Sequence, residues 1–418
     1  MRRFGLTMKL PKFLRRYSGL DKSIYFLFLA QIVNSLGHFV HPFITLFLTK
    51  KIGMDPMRAG VYVSVSAFIW IPATFIGGKL VDSLSRKIIM IAAQGLAAAT
   101  LVPCAFLGTS MAVPWLLILS SFFYGIAEPA NDSMISDMTK PEERKTAFSL
   151  LYLGHNIGFS VGPMIAGFLF NNFLPLLFIG DALTSGIALV LISIFTRETK
   201  PSEEEIKKSF ESDTSAEKAE KGSVISVLLK RPLLIAFMLT NILLSLVYSQ
   251  TLFGLPLLLS SKFGDLGPRF FGILMLANTL TVVLLTTPII HSTDKLKPAV
   301  SMAVAGLFYA LGFSFTHLSS SLVILILLTV VWTLGEILGA TNISAYIANH
   351  SPMTHRGRIN AIAPVIMFSG QAFGPPLAGW FINKYSAEAI WPIIGIISLA
   401  AAVIFYIFYL VDNRKKNI

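Results

Sequence analysis

Long apolar runs of about 20 residues, separated by short polar stretches, recur along the chain from Ile24 to Leu410. A helix of that length crosses a hydrocarbon core of about 30 Å at about 1.5 Å per residue. Twelve runs are read, near 24–48, 59–81, 88–108, 114–138, 146–170, 174–196, 232–260, 270–290, 298–316, 321–348, 359–382 and 389–410. None alternates polar with apolar positions as barrel strands do. The pattern therefore predicts an all-α integral membrane protein with twelve transmembrane helices.

The one long polar interruption, "RETKPSEEEIKKSFESDTSAEKAEK" over 197–221, falls after the sixth run. It divides the chain into a basic N-terminal arm (1–23), a six-helix bundle (24–196), a cytoplasmic linker (197–229), a second six-helix bundle (230–410) and a short tail (411–418). The linker's mixed charges carry no chemistry of their own.

Composition agrees with the pattern: 54% of residues are hydrophobic, 13% are charged and the mean hydropathy is +0.70. Soluble domains carry about 25% charged residues. A net charge of +12 raises the question of a nucleic-acid partner, and the placement of the 34 Lys and Arg residues answers it. On the side that holds both termini lie 28 of them, against 6 on the other. That bias places both termini in the cytoplasm of a multi-pass cell-membrane protein and leaves no nucleic acid to invoke. The basic start precedes an apolar run of about 25 residues without a small-x-small cleavage site, so it reads as a retained first span. Cys104 is the only cysteine, which excludes an intrachain disulfide and a thiolate metal cluster.

Six runs on each side of a linker invite a search for duplication. "GFSVGPMIAG" (158–167) in the fifth run and "GQAFGPPLAG" (370–379) in the eleventh both read G-x-x-x-G-P-x-x-A-G. The loops before them, from Pro141 and Pro352, each follow proline with basic residues. "LVDSLSRK" after the second run has a weaker counterpart, "HSTDKLKP", after the eighth, which sets Asp82 against Asp294. The two bundles are thus expected to be pseudo-symmetric.

These motifs resemble those of the major facilitator superfamily. "GGKLVDSLSRKIIM" is similar to its signature after span two, with Gly78, Leu80, Asp82, Arg86 and Lys87 matching and Ser83 and Ser85 departing from it. "GFSVGPMIAG" resembles the span-five signature of the drug:proton antiporter branch, with Ala166 in place of one glycine. The resemblance implies the major facilitator fold and a latch of Asp82, Arg86 and Lys87 in which the Asp pairs with basic groups and with the N-terminus of a helix of the other bundle. It also implies that spans one, four, seven and ten line a central cavity. Gly158, Gly162, Pro163, Gly374 and Pro375 are expected to form a flexible seam, because small residues let helices approach and proline removes a backbone donor.

Ionisable groups deep in a span need a reason. Glu128 in "YGIAEPAND" and Glu336 in "WTLGEILGATN" lie at similar depth in spans four and ten. A carboxyl there can be contested by a proton and a cationic substrate, the minimum that antiport requires. Asp132 stands one turn after Glu128 on the same face. Glu128, Asp132 and Glu336 are therefore the proton-coupling candidates, while Asp181 reads as structural. Gln31, Asn34, His38 and His41 follow helical spacing on span one. Together with Tyr152, His155, Asn156, Tyr248, Trp332 and Gln371 they form the candidate substrate surface. His38, His41 and His155 beside the carboxylates lack the spacing of a metal motif, so neither a metal nor a cofactor is expected.

The leading expectation is a secondary active transporter, proton-coupled and exporting small amphipathic compounds by alternating access, monomeric in a lipid bilayer. The alternative is a carrier of a particular metabolite, sugar, peptide or lipid, and then a uniporter is allowed. A membrane enzyme or receptor is disfavoured because no nucleotide loop, protease, nucleophile-elbow or kinase motif appears.

Overall fold

The computed structural model describes residues 17, 19–200, 232–293, 295–350 and 356–416. Within these ranges the side chains of 82, 141, 142, 144, 145, 344, 345, 348–350, 356–365 and 412–416 also lie outside the description. Most of the basic arm, most of the linker, Asp294 and the loop at Pro352 fall beyond it.

Fourteen α-helices make up the described chain. The first half holds α1 (Lys22–Leu36), α2 (Val40–Leu46, continued by a π turn at Phe47–Lys51), α3 (Pro56–Ser83), α4 (Arg86–Leu107), α5 (Ala112–Asp137), α6 (Pro141–Leu169) and α7 (Leu174–Phe195). The second holds α8 (Pro232–Ser249), α9 (Gly254–Phe263), α10 (Gly267–Thr293), α11 (Pro298–Ser314), α12 (Leu322–His350), α13 (Arg356–Lys384) and α14 (Ile390–Lys416). Nine stretches are long and apolar enough to span a membrane, and one of them, Pro232–Thr293, doubles back and crosses twice. The 29-residue helices α6 and α13, diluted by glycine, proline and polar residues, complete twelve passes.

Helix starts follow local chemistry. Asp21, Asp55 and Ser85 cap α1, α3 and α4 by accepting from the backbone N–H of Ser23, Arg58 and Ile88 at 2.8, 3.0 and 3.2 Å. Proline opens α3, α6 and α11, where a missing N–H costs nothing. The sequence predicts one unbroken helix for span one, and this is corrected: the helix stops at Gly37 and restarts at Val40. Span seven is likewise interrupted, between Ser249 and Gly254. The two broken passes occupy equivalent places in the two halves.

Within the first half α1 packs on α6 and α7, α3 on α5, and α4 on α5 and α7. In the second half α8 packs on α13 and α14, α10 on α12, and α11 on α12 and α14. Two helix pairs carry most of the contact between the halves, α3 with α13 and α6 with α10, with a smaller contact of α2 on α9. At both junctions backbone meets backbone. A Cβ built on Gly379 would stand 2.3 Å from the Pro56 carbonyl oxygen, and one on Gly60 2.5 Å from that of Pro375. At the other junction, Cβ atoms on Gly167 and Gly272 would stand 2.6 Å from the carbonyl oxygens of Pro268 and Pro163. The partners of the duplicated motif are themselves duplicated, since "PMRAG" (56–60) and "PRFFG" (268–272) share P-x-x-x-G.

The earlier glycines of the motif face the broken spans of their own half. Gly158 and Gly162 lie against the carbonyl oxygens of Ile32 and Leu36, and Gly370 and Gly374 against those of Ile242 and Leu246. Each ten-residue motif thus lays its first part on its own bundle and its second part on the other.

Both junctions sit at the face opposite the termini. There one apolar core runs through both halves, with Phe43 packed on Phe170 and Phe271 at centroid distances of 5.6 and 5.2 Å. A second core, around Ile24, Ile89, Met134 and Leu150, lies toward the termini and belongs to the first half alone. The halves are fused at the distal face and separately packed at the other.

Added methyl groups at the junctions have only backbone to push against. Gly167→Ala and Gly272→Ala should each cost about 1–3 kcal/mol by overpacking, read as a lower thermal unfolding midpoint of the purified protein in detergent. Gly78→Ala, where a Cβ meets nothing within 4 Å, should leave the midpoint unchanged.

Candidate functional site

The break in α1–α2 is held by a carboxylate. Asp181 of α7 is buried and accepts from the Val40 backbone N–H at 3.2 Å, taking the role of an N-cap for α2 from another helix. Its structural reading is carried by this contact. Upstream of the break, Asn34 Oδ1 accepts from Gln94 Nε2 and Ser185 Oγ, each at 3.0 Å, and Tyr124 shares a hydrogen bond with Ser185 at 2.9 Å. Ser35 accepts from Gln31 Nε2 at 3.0 Å and bonds His155 Nδ1 at 3.0 Å. The His38 and His155 rings stand edge to face, 6.1 Å apart.

The polar stripe of span one is therefore divided by the break. Gln31, Asn34 and His38 line a pocket of about 270 Å³ inside the first half, with Trp70, Gln94, Tyr124, Glu128 and Asn131. His41 turns instead to a cavity of about 760 Å³ between the halves. Glu128 and Trp70 border both spaces, and the Trp70 indole N–H donates to Glu128 Oε2 at 2.8 Å.

The second half repeats this arrangement. Asn278 Nδ2 on α10 donates to Glu336 Oε2 at 2.7 Å, and Tyr248 O–H on α8 donates to Oε1 at 2.9 Å. Trp70 precedes Glu128 by 58 residues and Asn278 precedes Glu336 by the same 58. Each carboxyl thus takes a donor from the equivalent neighbouring span. The environments differ: Glu128 is open to the cavity, whereas Glu336 sits behind Tyr248, which lines it. Sequence reasoning missed Trp70 and Asn278. Asn278 could have been found by asking the same question of polar amides in spans that was asked of carboxyls.

Spans one, four and seven contribute to the large cavity, through His41, Ile44 and Thr45, through Ser121 and Glu128, and through Tyr248, Ser249, Thr251, Leu252 and Phe253. Span ten does not appear in its lining, which corrects the expectation for that span. Its place is taken by α3, with Val63, Ser66, Trp70 and Thr74, and by α13, with Phe368, Gln371 and Pro375. Trp332 is corrected as well: it is 2% exposed and stacked on Phe313 inside the second half, 5.3 Å between centroids. Tyr152, His155, Asn156 and Asp132 are not among the lining residues. Asn156 donates to the Tyr152 carbonyl one turn back at 2.8 Å, and Asp132 is exposed one turn beyond Glu128.

The loop after span two is tied to its own half. Ser85, where the signature carries glycine, has a φ of −65° and caps α4, so no left-handed residue is required there. Glu198 accepts from the Ser85 hydroxyl and from the backbone N–H groups of Arg86 and Lys87 at 3.1 and 3.3 Å. Burial pushes its carboxyl up, but hydrogen bonds from Ser85, Lys200, Thr199 and Lys87 outweigh burial and hold it below the usual range. Glu198 lies in the stretch from which no chemistry was expected. Arg86 pairs with Asp137 at the end of α5. Lys87 Nζ donates to the Ser193 and Thr196 carbonyls, both at 2.7 Å, at the end of α7. The contact with the other half was expected of Asp82 and not of these groups. The Asp82 side chain lies outside the described residues.

The sequence matches the model of the Major Facilitator Superfamily over residues 27–266 and 239–417. The chain belongs to that family and is a multi-pass membrane transporter, not an enzyme. It is 23% identical over 377 residues to the uncharacterized MFS-type transporter YhjO of Bacillus subtilis, covering 90% of each chain. It is also 23% identical over 415 residues to a Na(+), Li(+), K(+)/H(+) antiporter of Planococcus maritimus, covering 91% of this chain and 94% of that one. The crystal structure of the nucleoside transporter NupG superposes with a TM-score of 0.77 at 15% identity, covering 93% of this chain and 99% of that one, which shows a shared fold.

Removing the cross-helix cap tests its structural role. Asp181→Ala should destabilise the purified protein by about 1–2 kcal/mol, and Asp181→Asn by less, because Asn also accepts at an N-cap. Both are read from thermal unfolding in detergent.

Proposed function

We propose that this transporter exports small amphipathic cations in exchange for protons across the cell membrane. The observation that carries the reading is the lining of the large cavity. Among its described lining residues Glu128 is the one carboxylate, none is lysine or arginine, and apart from the His41 imidazole and the Gln371 amide the remaining wall is aromatic, aliphatic or hydroxylated. Such a wall suits an apolar body with one positive charge. An anionic or zwitterionic solute such as a peptide would bring a carboxylate with no lysine or arginine to receive it.

Coupling follows from the two carboxyls. Glu128 meets substrate directly, and a proton on it and a cation beside it exclude one another. Glu336 receives two hydrogen bonds, from Asn278 and Tyr248. Protonation there disturbs Tyr248, which reaches the cavity wall, so the state of Glu336 is felt at the substrate. With the termini in the cytoplasm, as the basic residues indicate, the fused distal face is external. The chain is then inward-facing and ready to load.

A second reading is supported by the small pocket. Its amide, phenol and carboxylate groups in about 270 Å³ suit an inorganic monovalent cation, in keeping with what the Planococcus maritimus relative is named for. Proteoliposomes separate the two. Under an imposed pH gradient the protein should move tetraphenylphosphonium faster than sodium. Glu128→Gln and Glu336→Gln should each slow gradient-driven movement by about tenfold or more, about 1.4 kcal/mol in barrier terms, while still reaching the membrane. Equal transport with and without the gradient, or full activity of Glu336→Gln, would remove proton coupling through this residue.

A further inference from the structure

The duplicated motif extends beyond its last glycine. "GPMIAGFLFN" (162–171) and "GPPLAGWFIN" (374–383) both end in asparagine four residues after that glycine, at the distal ends of α6 and α13. Each asparagine crosses to the other half. Asn171 Nδ2 donates to the Asp265 carbonyl oxygen at 2.7 Å, in the turn ahead of α10. Asn383 Nδ2 donates to Asp55 Oδ1 at 2.8 Å, at the N-cap of α3. The acceptors Asp55 and Asp265 stand one and three residues before the proline of a P-x-x-x-G helix start. Each bond therefore closes the outer end of a junction whose inner part is glycine against carbonyl.

We propose that Asn171 and Asn383 are a matched pair of clasps that hold the distal face shut and set how often the transporter opens there. Both bonds lie at the exposed rim, where water can replace either partner when the halves part. The glycine contacts deeper in the seam are packing and have no such exchange available. Asp55 is suited to the acceptor's part. The Asn383 amide and then the Arg58 backbone N–H hold its carboxyl below the ordinary carboxylate range, so it is ionised at neutral pH. Arg58, 3.2 Å away on the same helix turn, adds its charge. Asp55 also accepts the N-terminal N–H of α3, so this clasp ties α13 to the capped end of α3.

The proposal rests on the halves parting at the distal face during transport, but not on what is carried. It is tested on the full chain in nanodiscs. Cys104, the single cysteine, is replaced by serine, and spin labels are placed at Met111→Cys and Leu318→Cys, exposed positions in distal turns of the two halves. Dipolar spectroscopy then reads the distance between the halves. Asn171→Ala and Asn383→Ala should each raise the open population by roughly fivefold, as expected for one hydrogen bond, and the double variant by more than either. Asn172→Ala, one position along, should not. The exchange Asp55→Asn with Asn383→Asp reverses donor and acceptor while keeping an N-capping residue at 55. It should restore the parent distribution that Asn383→Asp alone loses. An unchanged distribution in the double alanine variant, or failure of the exchange to rescue, would overturn the proposal. Transport without proton coupling would overturn the earlier functional reading and leave this one standing.

Discussion

The molecule depends on four places where the backbone of one half touches the backbone of the other with no side chain between: Gly60 on Pro375, Gly379 on Pro56, Gly167 on Pro268 and Gly272 on Pro163. Apolar side chains in a bilayer gain little by facing one another instead of lipid, so close approach and dispersion must hold the bundles together. Glycine supplies the approach. Proline supplies a carbonyl at a helix start or bend, where the ladder is already interrupted. All four contacts lie at one face, and the space toward the other face is left for a cavity of about 760 Å³.

This geometry explains why the duplicated motif survives in two copies while the surrounding residues differ. Each copy has two obligations, its first glycines to the broken span of its own bundle and its last glycine to a helix of the other. A residue larger than glycine at either place would have to move backbone. The broken spans are part of the same solution. Gly37 admits Thr184 so closely that a Cβ there would stand 1.6 Å from its hydroxyl oxygen. The restart at Val40 is then secured by Asp181 from a neighbouring helix. Seam, break and cap form one chain of dependence.

Much of this was legible in the sequence, and the limits have physical causes. Apolar run length gives the passes directly, because the bilayer sets it. The depth of Glu128 and Glu336 follows from counting along a helix. Helical spacing over Gln31, Asn34, His38 and His41 pointed to one face, and it misled beyond Gly37, since a single glycine does not announce a break that tertiary contacts impose. Trp332 looked like a cavity aromatic by its neighbourhood to Glu336, yet aromatic residues in spans serve packing equally well, and here it stacks on Phe313. The partners Trp70 and Asn278 carry no motif and become visible only when spans two and eight are placed beside four and ten.

The most informative departure from symmetry is the environment of the two carboxyls. A duplicated fold offers two equivalent positions, each with a donor 58 residues upstream. Had both kept the same surroundings, both would face the same space. Instead Tyr248 closes Glu336 off and bonds it, while Glu128 retains an open side toward the cavity and a second toward the polar pocket of its own half. One carboxyl thereby faces the cavity and the other is shielded from it. Their joint occupancy can then depend on which face is open. Under the proposed exchange, a proton held behind Tyr248 would leave by a different route from a cation resting at Glu128, and that separation of routes is what the proposal asks of a carrier with a single central cavity.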